Sequence, residues 1–288
     1  MPYTVITHAG KAHIDEILAT AVLAVHRGEY PLEIRRLDPK IVEKMVLKGM
    51  IPENSWVIDC GLVYHPERRF FDHHQDGALP SSALMLFKHL FPKLEGTGLH
   101  RYFELVSKVD TEGARSLGDY GRVSDSRDYW GFSQEILTDL FEKDPLAVLD
   151  ICARGLEGKI ELEKVKRAAV EWVAFPGNIS TEVVMGLTVL HYRERPPIEL
   201  FDGLNEIYRD IIRQNSAVAV YGHDRNDPSV RTLYRTDFGH EIFDFSKANP
   251  GNVLFNHQGG FLVKFIPTDE DEWKRILTSS LSLGNGPS

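Results

Sequence analysis

Only two cysteines, Cys60 and Cys152, occur in the 288 residues. That is too few for a disulfide framework and points to a reducing compartment. No apolar run approaches the roughly 18 residues that a membrane span needs; the longest are short segments such as Val183–Leu190. The opening Met1-Pro2-Tyr3-Thr4 has neither the basic region nor the apolar core of a signal peptide, so a cytoplasmic protein with no membrane partner is expected. Basic residues are outnumbered, 33 against 42 acidic, for a net charge of −9. An acidic chain is a poor coat for long nucleic acid, which is held by neutralising its phosphates. There is no G-x-x-x-x-G-K-S/T phosphate loop, which disfavours that nucleotide-triphosphatase chemistry, and no C-x-x-C pair, internal repeat or low-complexity tract. With 42% hydrophobic and 26% charged residues the chain is ordinary for a globular protein of one large or two modest domains. Histidine is in surplus, with twelve.

Strand and helix signals alternate in the first third. Tyr3–His8, Glu33–Leu37, Trp56–Asp59 and Arg69–Asp72 read as strands, and His13–Arg27, closed by Gly28, and Lys40–Leu47 as helices. That order predicts an α/β fold, a parallel sheet with helices on both faces. Helices are expected at Ser82–Leu90, Leu99–Val109 and Gln134–Glu142, and from Pro145 to about Ala174 with a split near Gly155 and Gly158. Gly113–Asp128 reads as a polar loop. Composition shifts at Phe175-Pro176-Gly177-Asn178, which places a domain boundary between 1–176 and 177–288. In the second part Val183–Tyr192, Ala217–Tyr221, Val230–Tyr234 and Gly260–Phe265 read as strands, with helices at Ile198–Arg213 and Asp271–Leu277 and a fraying tail at Thr278–Ser288. A smaller α+β domain is expected there.

Metal-ligand side chains gather at three strand ends. The first group is His8, His13 and Asp15 in Thr7–Glu16; the second is Asp59 before Cys60-Gly61; the third is Asp72-His73-His74 after Phe70-Phe71. Asp110 follows the helix Leu99–Val109. Ligands of open α/β sheets collect outside the carboxyl ends of the strands, so these segments can converge. Singly, each has a plainer reading: an exposed histidine, an Asp-initiated turn or a helix-start acid. Jointly, imidazole with carboxylate suits Mn, Fe, Co or Zn better than Ca or Mg. Seven of these donors, His8, His13, Asp15, Asp59, His73, His74 and Asp110, exceed the four of one structural zinc. A shared carboxylate such as Asp59 suits two metals about 3.5–4 Å apart, the arrangement that activates water against a phosphoryl centre.

At these residues the chain resembles the DHH superfamily of two-metal phosphoesterases, through Asp72-His73-His74. More closely, Thr7-His8 with His13-Ile14-Asp15-Glu16, then Asp59-Cys60-Gly61, then Phe71-Asp72-His73-His74-Gln75 resemble the melanocyte-proliferating-gene family. The resemblance is strong over the first 75 residues and extends through Asp110; Phe255–Phe261 carries a weak echo. It implies His8, His13 and Asp59 around one metal, and Asp15, Asp59, His73 and Asp110 around a second. It further implies Asp72 as the group orienting a neighbouring imidazole, and His74 as the contact to substrate phosphate or the proton donor to a leaving group. His257 is implied as a substrate contact beside flexible Gly259-Gly260, a structural role being the alternative, with Arg68, Arg69, Arg231 and Arg235 as candidate phosphate contacts or solvated surface charges. Glu16 is read as a helix-start acid, with a base behind the metal ligands as the alternative. The superfamily carries Asp where this chain has His13, so the site here is less negative. The implied activity is a manganese-dependent phosphodiesterase using two Mn²⁺, with Mg²⁺, Co²⁺ or Zn²⁺ as alternatives. Its expected reaction is 3′–5′ exonuclease cleavage of single-stranded RNA or short oligonucleotides. The competing expectations are a phosphatase or pyrophosphatase on a small phosphorylated metabolite, and a non-catalytic metal-binding protein. A homodimer is a further expectation.

Overall fold

The computed structural model describes residues 2–113, 135–248 and 251–282. The chain divides into two compact units, Met1–Glu163 and Lys164–Ser288, so the division falls inside a long helix and not at residue 176.

The first unit is α/β. In chain order it contains β1 (Thr4–His8), α1 (Ile14–Arg27), β2 (Glu33–Leu37), α2 (Pro39–Leu47), β3 (Ser55–Ile58), β4 (Tyr64–His65), β5 (Phe70–Phe71), α3 (Ser82–Leu90) and α4 (Gly98–Glu112). A helical stretch α5 (135–143) follows, and then α6 (Pro145–Ala174). The sheet runs β2-β1-β3-β5-β4. β1 pairs in parallel with β2 and β3, β3 in parallel with β5, and only β4 is antiparallel. Alternation along the strands sends side chains to two cores. Val5, Trp56, Ile58 and Phe71 pack with residues of α1, α3, α4 and α6. Ile6, Val57 and Phe70 pack with Val42 and Val46 of α2 on the other face. Helices therefore cover both faces, as the strand–helix alternation predicted.

Three sequence expectations change in this unit. The strand expected at Arg69–Asp72 shrinks to Phe70–Phe71, because Asp72 turns away to anchor a loop. The short β4 was not foreseen; two residues carry no readable periodicity. Gly155 and Gly158 do not split α6. Each weakens a helix by roughly 0.5–1 kcal/mol, but the buried Leu149, Ala153 and Leu156 hold that stretch in the core. Of the loop expected at Gly113–Asp128, all but Gly113 lies outside the described residues, as does Gln134.

The second unit adds β6 (Ile179–Val184), β7 (Leu187–Tyr192), α7 (Phe201–Asn215), β8 (Ala219–His223), β9 (Arg231–Arg235), β10 (Val253–Asn256), β11 (Leu262–Phe265) and α8 (Glu272–Ser279). Its sheet runs β10-β11-β9-β8-β7-β6, with β7 and β8 parallel across α7. The single strand expected at Val183–Tyr192 is a hairpin. Met185 and Gly186 both have positive φ, 54° and 77°, the two-residue turn that matches the strands' twist. Methionine there hid the signal. The tail expected to fray from Thr278 is tied in through Ser282, whose N–H donates to the Ile242 carbonyl. Among the described residues no helix is long and apolar enough to cross a membrane.

Candidate metal centre

The parallel register brings the carboxyl ends of β1, β3 and β5 side by side, and each delivers one part of the cluster. His8 closes β1. His13, four residues after the Ala9 turn, caps α1 with an extended backbone. Asp59 follows β3 in the left-handed region, φ 57°, held by its N–H donating to the Phe71 carbonyl at 2.9 Å. Asp tolerates that conformation better than most residues, and such outliers concentrate at functional sites. Gly61, at φ 96°, leaves little room for a side chain: an added Cβ would lie 3.1 Å from a methyl of Val46. His73 and His74 follow β5, and Asp110 comes in from the last turn of α4.

Asp59 is the hub. Its Oδ2 lies 3.4 Å from His8 Nε2, and its Oδ1 lies 3.3 Å from His73 Nε2 and 3.7 Å from His74 Nδ1. His73 Nε2 also lies 3.2 Å from Asp110 Oδ2, which leaves Asp110 3.9 Å from His13 through its other oxygen. Three donor sets result, each within 4.8 Å: His8, His13 and Asp59; Asp59, His73 and His74; Asp15, His73 and Asp110. Buried polar atoms normally have hydrogen-bond partners. Here His8 Nε2, Asp59 Oδ2 and His73 Nε2 are buried and have none among the described residues. His8 Nε2 lies at ion-pair distance from Asp59 Oδ2, and His73 Nε2 from the other Asp59 oxygen, Oδ1, both without aligned hydrogen bonds. A divalent cation fits that donor set.

Around the hub the carboxylates of Asp15, Asp72 and Glu16 are each held by several donors. Both Asp15 oxygens accept backbone N–H groups at the start of α3, from Ser82 at 3.0 Å and Ala83 at 2.9 Å, so this carboxylate also sits on the positive end of a helix. Asp72 accepts from the Leu62 N–H at 2.6 Å, from the His74 N–H at 3.1 Å, and meets His74 Nδ1 at 2.8 Å. It thereby fixes both the Gly61-Leu62 turn and the His74 ring, leaving the opposite ring nitrogen, Nε2, for other partners. Glu16 is fully buried. It accepts from the Thr7 hydroxyl, from the His13 N–H at 3.1 Å and from Arg36 at 3.1 Å, and lies 3.3 Å from His8. It caps the helix as expected, but it also braces His8. Arg36, unremarked in the sequence, is the matching cation. The parallel register sets it beside Thr7, a placement visible only once β1 and β2 are paired.

The electrostatics follow from this crowding. Burial alone would depress the His8 imidazole, but Asp59 and Glu16 outweigh it and lift its pKa to about 9. His73 is buried too, yet Asp110 and Asp59 raise it to about 10. Burial acts against the Asp59 carboxylate, but His73 and His8 hold it well below the usual range. Asp15 is pushed up, first by burial and then by Asp59 and Asp110. The Asp72 hydrogen bond raises His74. A cavity of about 260 Å³ opens on the cluster, lined by His8, His13, Asp59, Asp72 and His74 together with Lys40 of α2.

Other expected contacts are engaged elsewhere. Arg235 donates to the carbonyls of Phe243 and Gly259, and Arg231 to those of Pro228 and Val230. Arg69 donates to the Glu53 carbonyl, and Arg68 stacks on Phe70. His257 belongs to the second unit, where its Nδ1 accepts from the Gly259 N–H at 3.0 Å and its ring packs on Phe261. Gly260 is not a free hinge: its N–H donates to the His257 carbonyl, and an added Cβ would strike Asp244.

Residues 4–89 match the family model MYG1_exonuc, described as an uncharacterised protein family (UPF0160). That stretch holds all the cluster residues except Asp110, and the resemblance read from the sequence is borne out over it. The chain is 33% identical over 96 residues to a MYG1 protein of Dictyostelium discoideum, covering 30% of this chain and 27% of that one. It is 34% identical over 91 residues to a MYG1 protein of Chlamydia pneumoniae, covering 30% and 28%. The matches thus span little more than a quarter of those relatives. A crystal structure of RecJ in complex with Mn²⁺ from Thermus thermophilus aligns over 96% of this chain and 51% of that one, at 13% identity and a TM-score of 0.28, a likeness too distant to bear on the site.

Proposed function

We propose that the chain is a metal-dependent phosphodiesterase, a 3′–5′ exonuclease on single-stranded RNA or short oligonucleotides. The observation that carries this reading is the set of three buried, partnerless atoms, His8 Nε2, Asp59 Oδ2 and His73 Nε2, gathered around one carboxylate. A divalent cation would give all three of these atoms a partner at once. His8, His13 and Asp59 would hold one Mn²⁺, and Asp15, Asp59, His73 and Asp110 the other. When bound, the ions would supply Lewis-acid stabilisation of phosphoryl charge and a water acidic enough to attack at neutral pH. The chain does the rest. Asp72, bonded to His74 Nδ1, sets the tautomer and aims Nε2 at the leaving oxygen, to which it delivers a proton. Lys40, at the rim of the cavity, supplies a cation for a non-bridging phosphate oxygen. The match of residues 4–89 to MYG1_exonuc supports the same reading.

The test is a 5′-labelled RNA, with bis-p-nitrophenyl phosphate as the small-ester control, after EDTA stripping and Mn²⁺ addition. Stepwise shortening from the 3′ end, abolished by Asp59→Asn and His74→Ala, is expected. Turnover of the small ester alone would replace the exonuclease by a metabolite phosphatase. Silence on both with metal retained would leave a binding protein.

A further inference from the structure

A second cavity, of about 380 Å³, lies wholly within the second unit, and nothing in the metal-centre reading uses it. Register explains how it forms. Strand alternation puts Tyr192, Gly222, Thr232 and Lys264 in one cross-strand row, and Val220, Tyr234 and Leu262 in the next, all on one face of the sheet. Helix α7 covers that face with Phe201, Leu204 and Tyr208. The opposite face is filled by Leu233, Val263, Phe265 and Trp273.

At the centre of the row stands Gly222, where every neighbouring position carries a side chain. Glycine inside a strand weakens it and often marks a place where a ligand approaches the backbone. Here nothing in the fold demands it. Its φ is not positive, and an added Cβ would meet Thr232 Oγ1 at 3.6 Å and Tyr192 at 3.7 Å, ordinary contact distances. The missing side chain is therefore open floor. Three lining residues also carry buried polar atoms with no partner among the described residues: the hydroxyls of Tyr192 and Tyr208, and His223 Nδ1. Tyr192 itself is only 7% exposed.

The walls indicate what would enter. Three tyrosines, Tyr192, Tyr208 and Tyr234, offer ring surface; Asn205 and Thr232 offer neutral hydrogen-bonding groups. The one cationic side chain, Lys264, is matched by Asp224 Oδ2 at 2.6 Å, so no net charge faces the cavity. Burial lowers the pKa of His223, which keeps that ring neutral as well. The volume falls in the range of small-ligand sites, and aromatic walls suit any base because every base has a stacking face. We propose that this cavity binds a neutral planar heterocycle of the nucleoside class, with Gly222 as its floor.

The proposal stands apart from the metal centre, and phosphate-free probes keep the two separate. Uridine and adenosine are titrated into the full chain by calorimetry, with ribose as control. At least one nucleoside should bind saturably with Kd of about 1 mM or tighter, and ribose should not. The binding should persist in EDTA and in His73→Ala. Gly222→Val should keep the thermal midpoint while weakening binding at least tenfold, about 1.4 kcal/mol. Should that variant not fold, Thr232→Val, which keeps the shape and removes the hydroxyl, should also weaken binding. No saturable binding up to about 10 mM would overturn the proposal. So would equal binding of ribose, undiminished affinity in whichever variant folds, or loss of binding in EDTA, which would put the probe at the metal centre. Failure of the RNA assay would leave it untouched.

Discussion

Asp72 is a member of no candidate metal grouping, yet three of its hydrogen bonds, two of them to His74, hold the site together. Replacing it with Asn keeps the shape but puts an amide where His74 needs an acceptor held in one orientation, and the ring loses its fixed tautomer. The expected result for Asp72→Asn is a fall in kcat of about 10²–10⁴, with metal content by mass spectrometry unchanged and the limb of the pH–rate profile assigned to His74 displaced. A parallel loss of bound metal would instead make Asp72 a ligand in practice. Glu16 is the converse case. It is fully buried and shared by Thr7, His8, His13 and Arg36, so Glu16→Ala takes this carboxylate from a guanidinium that is only 12% exposed and leaves it the Gly10 carbonyl. Breaking a buried pair from one side costs about 3–5 kcal/mol. A drop of that size in chemical denaturation is expected, with Glu16→Gln retaining part of it by keeping hydrogen bonds. A drop below about 1 kcal/mol would reduce Glu16 to the helix-start acid suggested by its position. The sequence makes the histidines and aspartates legible because metal-ligand side chains at strand ends are rare together. Arg36 carries no such mark. It sits in an ordinary alternating strand, and only pairing with β1 reveals it.

Elements explain why the cluster is so tightly held. Asp15 leaves α1 and receives the first amides of α3, so one carboxylate joins two helices below the sheet's end. Gly61 lets the chain turn between Asp59 and the face of α2. Gly61→Ala must take a positive φ and press a methyl group on Val46. A loss of about 1–3 kcal/mol is expected, together with weaker metal retention because Asp59 moves with the turn. Unchanged stability by calorimetry would show that the turn relaxes freely. The glycines of α6 predict the opposite sign. Gly155 and Gly158 are exposed, with open space where a side chain would go, so changing both to Ala should stabilise the first unit by about 1–2 kcal/mol in total. Short runs of β-favouring residues made β1, β2 and β3 readable, and helical spacing closed by Gly28 did the same for α1. The hairpin at Met185-Gly186, the two-residue β4 and β10 were hidden. Each depends on a turn or a partner strand more than on its own residues. The uninterrupted α6 was hidden for the same reason, since its core contacts override two weak helix formers.

On the scale of the whole molecule, the cluster makes stability depend on pH and on metal in a linked way. His8 and His73 have folded-state pKa values of about 9 and about 10, against about 6.5 in an unfolded chain. The folded protein thus binds more protons than the unfolded one between those values. Stability from these two groups is complete below about pH 6.5 and is lost as pH climbs through the folded values. Asp59 and Asp72, held below the usual carboxylate range, act at the other end: their contribution is present above about pH 4 and lost on acidification. A metal ion reverses the alkaline trend. It needs the imidazoles deprotonated, so each ion bound displaces protons and its affinity rises with pH. Binding then adds RT ln(1 + [L]/Kd) to stability, about 2.7 kcal/mol at a hundredfold excess over Kd. Thermal melts of EDTA-stripped protein should therefore fall steadily from pH 6.5 to pH 9. Melts in excess Mn²⁺ should fall less or rise, so that the gap between the two curves widens with pH. His73→Ala should flatten the metal-free curve and narrow that gap. If the gap stays constant or closes toward pH 9, the protons on His8 and His73 and the ion do not compete for the same atoms. The cluster would then be an ion-paired network that holds the strand ends together, and the partnerless atoms of His8, Asp59 and His73 would need another account.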